Sequence, residues 1–129
     1  MNTEDYVRAV YYLQSRHGAA KPSAVAERLG VSKNTVTAMV QRIATQGYLA
    51  YKAYGAIELT QKGRTLAKRL TYRHRLIELF LTEKLGLPKA AVHAEACRLE
   101  HDFSDASIWG LEKLLGHPET DPHGKPLRE

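Results

Sequence analysis

Apolar residues recur at helical spacing from the first turns of the chain. Tyr6, Val7, Val10, Tyr11 and Leu13 share one face of a helix expected over about residues 4–16, with Gly18 as its stop. Glu4 and Asp5 in its first turn complement the positive end of the helix dipole. Pro22-Ser23 opens a short second helix that Gly30 closes. A third starts behind Ser32, a suitable N-cap, and ends before Gly47, with Val36, Met39, Val40 and Ile43 as its apolar positions. The pattern then changes: residues 48–51 and 56–59 read as strands around a turn at Ala53-Tyr54-Gly55, one β-hairpin. Thr60 caps a long helix to about Leu85, ended by Gly86. Pro88 suits the first turn of another reaching about Asp102. Ser104 caps a last helix to Leu115, stopped by Gly116. Segment 117–129 contains three prolines and reads as loop or frayed chain.

Helix, helix, tight turn, helix, hairpin is the order of a winged helix-turn-helix. Ala26 sits four residues before Gly30, where two helices cross closely and a small side chain fits. Gly30 supplies the left-handed backbone of the sharp turn, and Val31 and Val36 fall where the third helix must pack on the second. The expected fold class is mainly α with a small β-hairpin: a winged helix-turn-helix DNA-binding domain over 1–72, an all-helical domain over 73–116, and a flexible tail over 117–129. The first turns of the third helix would enter the major groove with Ser32, Lys33, Asn34, Thr35 and Thr37. Gln41 and Arg42 lie further along, and Lys52 and Tyr54 sit on the wing.

Charge sharpens this reading. The 129 residues carry a formal +5, but 1–75 hold 13 Lys and Arg against 4 Asp and Glu, whereas 76–129 hold 6 against 10. A basic first half and an acidic second half suggest a polyanion-binding head on a body with another task. No apolar run approaches a membrane span, and the polar, acidic N-terminus is unlike a signal peptide. The single cysteine, Cys97, has no partner for a disulfide within the chain. These features fit the cytoplasm. No nucleophile elbow, phosphate loop or HExxH motif is present, so an enzyme is not expected.

The acidic half holds the second constellation. His93, Cys97, Glu100 and His101 stand at i, i+4, i+7 and i+8, one stripe of a helix, and His74 and Glu78 stand at i, i+4 on the preceding helix. Imidazole, thiol and carboxylate make a poor hydrophobic face and suit a divalent transition metal of intermediate softness. Asp5, on the first helix, is the candidate ligand from outside this half. Without paired CxxC spacing, a purely structural zinc site is not expected. The alternative is a winged-helix regulator answering to a small organic ligand or to oxidation of Cys97.

Glu4-Asp5-Tyr6, Ala26-Glu27-Arg28-Leu29, Leu59-Thr60-Gln61-Lys62-Gly63-Arg64, Arg73-His74-Arg75-Leu76 and, above all, the run from His93 through Cys97, Glu100 and His101 resemble the diphtheria-toxin-repressor and manganese-transport-regulator family of metal-dependent bacterial repressors. The resemblance covers essentially the whole chain. It implies a homodimer built through the acidic half, a palindromic double-stranded DNA operator, and Fe²⁺ or Mn²⁺ as corepressor, with Co²⁺, Ni²⁺ or Zn²⁺ as substitutes in vitro. It implies one metal site of Asp5, Cys97, Glu100 and His101, and a second of His74, Glu78 and His93. The chain departs from both types. Asp5 is the manganese-type choice, Cys97 is the iron-type choice, and Arg8 stands where the manganese type has a second carboxylate. Many iron-type members continue into a small SH3-like domain after a segment like the one from Asp121 to Pro126. The chain is therefore expected to be either a short form or the leading part of a longer one.

Overall fold

The computed structural model describes residues 2–120 and 126–127. It comprises α1 (Thr3–His17), α2 (Pro22–Leu29), α3 (Lys33–Thr45), β1 (Leu49–Tyr51), a 3₁₀ turn (Ala53–Gly55), β2 (Ile57–Leu59), α4 (Gln61–Glu83), α5 (Lys89–Leu99) and α6 (Asp105–Leu114). Two compact units divide within α4, one over Met1–Ala67 and one over Lys68–Glu129.

In the first unit, local chemistry sets the element ends. Asp5 N–H donates to Asn2 Oδ1 at 3.0 Å and Asn2 N–H donates to Asp5 Oδ2 at 2.9 Å, a capping box that opens α1. Gly18, at φ 75°, closes the helix. Gly30, at φ 68°, ends α2, and Val31 N–H reaches back to Ala26 O at 3.1 Å. Thr35 N–H donates to Ser32 Oγ at 3.0 Å and starts α3. The buried faces are those the apolar pattern marks: Tyr6, Val7, Val10 and Leu13 of α1, Val25 and Ala26 of α2, and Val36, Val40 and Ile43 of α3 form one core with Leu49, Ile57 and Leu59.

The hairpin pairs Leu49 with Leu59, Ala50 with Glu58 and Tyr51 with Ile57. Each strand is one residue shorter than the sequence suggests: Tyr48 N–H turns back to Ile43 O at 3.3 Å, and Ala56 O accepts from Lys52 N–H at 2.7 Å across a turn where Tyr54 and Gly55 are both left-handed. Ile57 N–H also donates to Ala20 O at 2.8 Å, so the loop before α2 adds a third backbone partner to the wing. Thr60 caps α4 while its hydroxyl donates to Gly47 O at 2.6 Å.

In the second unit, Leu76, Ile77 and Leu81 of α4, Val92 and Ala96 of α5, and Ile108 and Leu111 of α6 form a separate core. The helix expected to reach Asp102 ends at Leu99. Asp102 N–H reaches Leu99 O at 3.1 Å in a tighter i→i−3 turn, and Phe103 N–H shares the same carbonyl at 3.1 Å. The stripe of four donors on one helix is corrected accordingly: His93 and Cys97 stand on α5, while Glu100 is its C-cap and His101 lies in the turn beyond. The segment after α6, read from the sequence as loop, is anchored where it is described. Leu127 is buried in the second core, its N–H donates to Glu119 O at 2.9 Å, and Arg75 Nη1 donates to Pro126 O at 2.7 Å. The rest of that expectation, on residues 121–125 and 128–129, lies outside the described residues.

Candidate metal centre and nucleic-acid interface

His74 is the hub of the polar cluster. The α4 turn that carries it buries Leu76 and Ile77, which leaves the ring almost wholly enclosed, 4% exposed. Its Nδ1 lies 2.7 Å from Glu100 Oε2, and its Nε2 lies 3.1 Å from His93 Nδ1 and 3.3 Å from Glu78 Oε1. The tautomer in which Nδ1–H donates to Glu100 leaves the Nε2 lone pair directed at His93 and Glu78. Carboxylate-to-imidazole bonding of this kind orients a metal-ligating histidine and raises its basicity. Glu78 Oε2 is 3.6 Å from His93 Nδ1, and Cys97 Sγ is 3.6 Å from His93 Nε2 and 4.0 Å from His74 Nδ1. His101 Nε2 is 3.6 Å from Glu100 Oε1.

These residues fit a divalent cation. One donor atom each from His74, His93 and Cys97 can be chosen so that all three lie within 4.8 Å of one another. Metal–ligand bonds of about 2.0–2.3 Å imply donor separations of roughly 3.3–3.8 Å in a tetrahedron, so a set spread over as much as 4.8 Å would draw in by up to about 1 Å on binding. Each ring must commit one nitrogen, because the shortest contacts use different nitrogens of the same imidazole. Glu78 and Glu100 are each only 4% exposed. Buried carboxylates are costly unless matched by positive charge, and a cation among these donors would match them. His93 and Cys97 stand toward solvent, which leaves an approach. The two ligand groups that the family resemblance separates abut here: the His74–Glu100 and His93–Cys97 contacts cross from one to the other. Asp5 belongs to the first unit, where its carboxylate serves the α1 capping box.

Arg73 is the residue that sequence reasoning missed. Its guanidinium is buried, and Nε donates to Glu100 O at 3.2 Å while Nη1 donates to Asp105 Oδ1 at 3.1 Å. Arg69 Nη2 donates to the same Asp105 oxygen at 2.7 Å. The hydrogen bond and charge of Arg69, with Arg73 behind them, hold the Asp105 carboxyl below the usual carboxylate range. In the sequence, Arg73 looks like one more cation of a basic stretch.

The residues expected to meet DNA lie on the surface of the first unit. Ser32, Lys33, Asn34, Thr35, Thr37, Gln41 and Arg42 are exposed along α3. Ser32 is occupied as the cap, its Oγ 2.8 Å from Thr35 Oγ1, and Thr37 Oγ1 donates to Lys33 O. On the wing, Lys52 pairs with Glu58 at 3.1 Å, and Tyr54 is 96% exposed.

A winged helix-turn-helix is thus followed in the same chain by a helical unit that carries an imidazole, thiol and carboxylate cluster. Two family models match: "Iron dependent repressor, N-terminal DNA binding domain" over residues 1–57 and "Iron dependent repressor, metal binding and dimerisation domain" over 60–128. The chain belongs to the iron-dependent repressor family, the same diphtheria-toxin-repressor and manganese-transport-regulator group that its motifs resemble. It is 41% identical over 125 residues to the iron-dependent repressor IdeR of Mycobacterium tuberculosis, covering 97% of this chain and 54% of that protein. It is 37% identical over 118 residues to the transcriptional regulator MntR of Bacillus subtilis, covering 92% and 82%. A solved manganese-dependent transcriptional repressor in complex with manganese superposes with a TM-score of 0.89 at 36% identity, over 98% of this chain and 58% of the other. The chain thus spans about half the length of the IdeR relative, and most of the MntR one.

Proposed function

We propose that this chain is a metal-dependent transcriptional repressor of metal-ion homeostasis that acts in the cytoplasm and binds a palindromic operator as a homodimer when loaded with Fe²⁺ or Mn²⁺. The observation that carries this reading is the His74-centred cluster, two imidazoles, a thiol and two buried carboxylates, in one chain with a winged helix-turn-helix. Relatives named for iron and manganese support it. Those names do not favour an organic ligand or Cys97 oxidation as the signal. The DNA-binding domain is assigned to 1–72, the metal-binding and dimerisation domain to 73–116 and the tail to 117–129.

Asp5, His74, Glu78, His93, Cys97, Glu100 and His101 are the proposed ligands. When bound, the ion supplies positive charge against the buried carboxylates. His74 holds Glu100 through Nδ1–H and presents Nε2 beside Glu78 and His93. Cys97 brings a soft donor and Glu78 and Glu100 hard ones, a set that accepts Fe²⁺ more readily than a carboxylate-only set does. Ser32, Lys33, Asn34, Thr35, Thr37, Gln41, Arg42, Lys52 and Tyr54 are the proposed DNA contacts. In a dimer the two α3 helices would read major-groove faces about 34 Å apart. Metal and operator affinities are then coupled reciprocally.

The test is anaerobic fluorescence anisotropy on a palindrome from upstream of the gene, at fixed salt, with Mn²⁺, Fe²⁺, Co²⁺ and Zn²⁺ titrated against a chelated control. Tightening of about tenfold or more with Fe²⁺ or Mn²⁺ is the expected result, a coupling of typical size. Tight binding indifferent to every metal would refute the reading.

A further inference from the structure

Glu100 and His101 stand past the last residue of α5, so no continuing helix holds their backbone from the C-terminal side. The carbonyl of a helix's last residues has no intrahelical partner and must find one elsewhere. Arg73 provides it: Nε donates to Glu100 O at 3.2 Å, while Nη1 and Arg69 Nη2 share Asp105 Oδ1 at the first turn of α6. Arg73 is 5% exposed and its bond to Glu100 O is buried, while its other partner, Asp105, stands toward solvent. The next residue, His74, takes the other end of Glu100 through Oε2 at 2.7 Å. Consecutive residues of α4 therefore grip residue 100 by backbone and by side chain.

We infer that Arg73, braced by Asp105 and Arg69, is a positioning residue for the metal centre, setting where Glu100 and His101 present their donors. The inference rests on the metal-binding reading given above. Its sign separates it from simple electrostatics. Arg73 is a cation beside a cation site, so if charge alone mattered, removing it would raise metal affinity. Positioning demands the reverse. Lysine keeps the charge and loses the fork that reaches Glu100 O and Asp105 together.

The test uses the full chain, Co²⁺ alone as probe, and anaerobic buffer. Affinity is read by competition with a chelator, ligand geometry by the visible bands and the near-ultraviolet thiolate charge-transfer band of Cys97, and folding by circular dichroism of the metal-free protein. Arg73→Lys and Arg73→Met are expected to bind Co²⁺ about 10- to 100-fold more weakly, the usual effect of losing an outer-sphere partner, with shifted bands. Arg98→Ala removes an exposed cation of α5 that pairs with Glu95, and is expected to leave both readouts unchanged. Should Arg73→Met not fold, Arg73→Lys decides, together with Asp105→Ala, whose side chain is 80% exposed and whose loss is expected to weaken binding and shift the same bands. A folded Arg73→Lys that matches the wild type in affinity and spectrum, or an Arg73→Met that binds more tightly, overturns the inference while leaving the metal-binding reading intact. A wild-type chain that takes up no Co²⁺ overturns both, and the wild type alone reveals that case.

Discussion

Gly63→Ala sets two opposing terms against each other, and the structure decides between them. Gly63 lies in the first turn of α4, where alanine is favoured over glycine by about 1 kcal/mol in an ordinary helix. A Cβ at this position, however, would fall inside the van der Waals envelope of Tyr48 O, 3.0 Å from Tyr48 C and 3.1 Å from Leu59 Cδ2. The obstacle is backbone, and that backbone is engaged: Thr60 N–H donates to Tyr48 O at 3.1 Å and Thr60 Oγ1 to Gly47 O at 2.6 Å. Relieving the clash moves α4 away from β1. Overpacking costs about 1–3 kcal/mol, and weakening the two hydrogen bonds about 1 kcal/mol each. After the helix-propensity gain, Gly63→Ala is expected to destabilise the chain by about 2–4 kcal/mol, a large part of the margin of a small domain. Urea unfolding of metal-free protein, followed by circular dichroism, measures it. A variant as stable as the wild type, or more so, would refute the packing argument and show that propensity governs the site.

Four further outcomes are expected. Ser32→Ala loses the acceptor for Thr35 N–H and should cost about 1 kcal/mol in the same urea assay, with no loss meaning that solvent caps α3 equally well. Tyr54→Gly relieves a left-handed backbone at φ 63° and should raise stability by about 0.5–1 kcal/mol while weakening operator binding, and a fall in the urea midpoint would sink the strain argument. Glu100→Gln keeps the shape of a buried side chain and removes its charge, so metal-stimulated operator binding should drop about tenfold or more with metal-free binding unchanged; full stimulation would remove Glu100 from the ligand set. Asp105 titrates below the ordinary carboxylate range because Arg69, then Arg73, favour its charged form. Its stabilising effect is therefore fully present above the unfolded carboxylate value, near 3.9, and is lost as pH falls through the lower folded value. The melting-temperature difference between wild type and Asp105→Asn should accordingly shrink below about pH 4, and a gap that persists into stronger acid would contradict the assignment.

Much of the first unit is legible in the chain because its determinants are local. Asn2 with Asp5, Ser32 with Thr35 and Gly30 behind Ala26 act across three to five residues, and the apolar spacing of α1 and α3 names the faces that become the core. The candidate donors are also legible as residue types, since His93 and Cys97 are one helical turn apart whatever surrounds them. Their convergence is not. The contact of His74 with Glu100 spans 26 residues and that of Arg73 with Glu100 O spans 27, and no local rule brings such groups together. The early end of α5 is not marked by spacing either: periodicity continues through Glu100 and His101, whereas the helix ends at Leu99 and Asp102 N–H closes a tighter turn on Leu99 O. Leu127 looked like part of a proline-rich loop because its burial depends on a core made from three distant helices.

By itself, then, the sequence determined the order and caps of the elements, the winged-helix surface and the presence of metal-type donors, all of which follow from nearest-neighbour chemistry. Only the tertiary structure decided that two buried carboxylates share one histidine and that Arg73 holds Glu100 from behind. Those arrangements arise from packing between helices far apart in the chain, where position in space rather than spacing in sequence sets which groups meet.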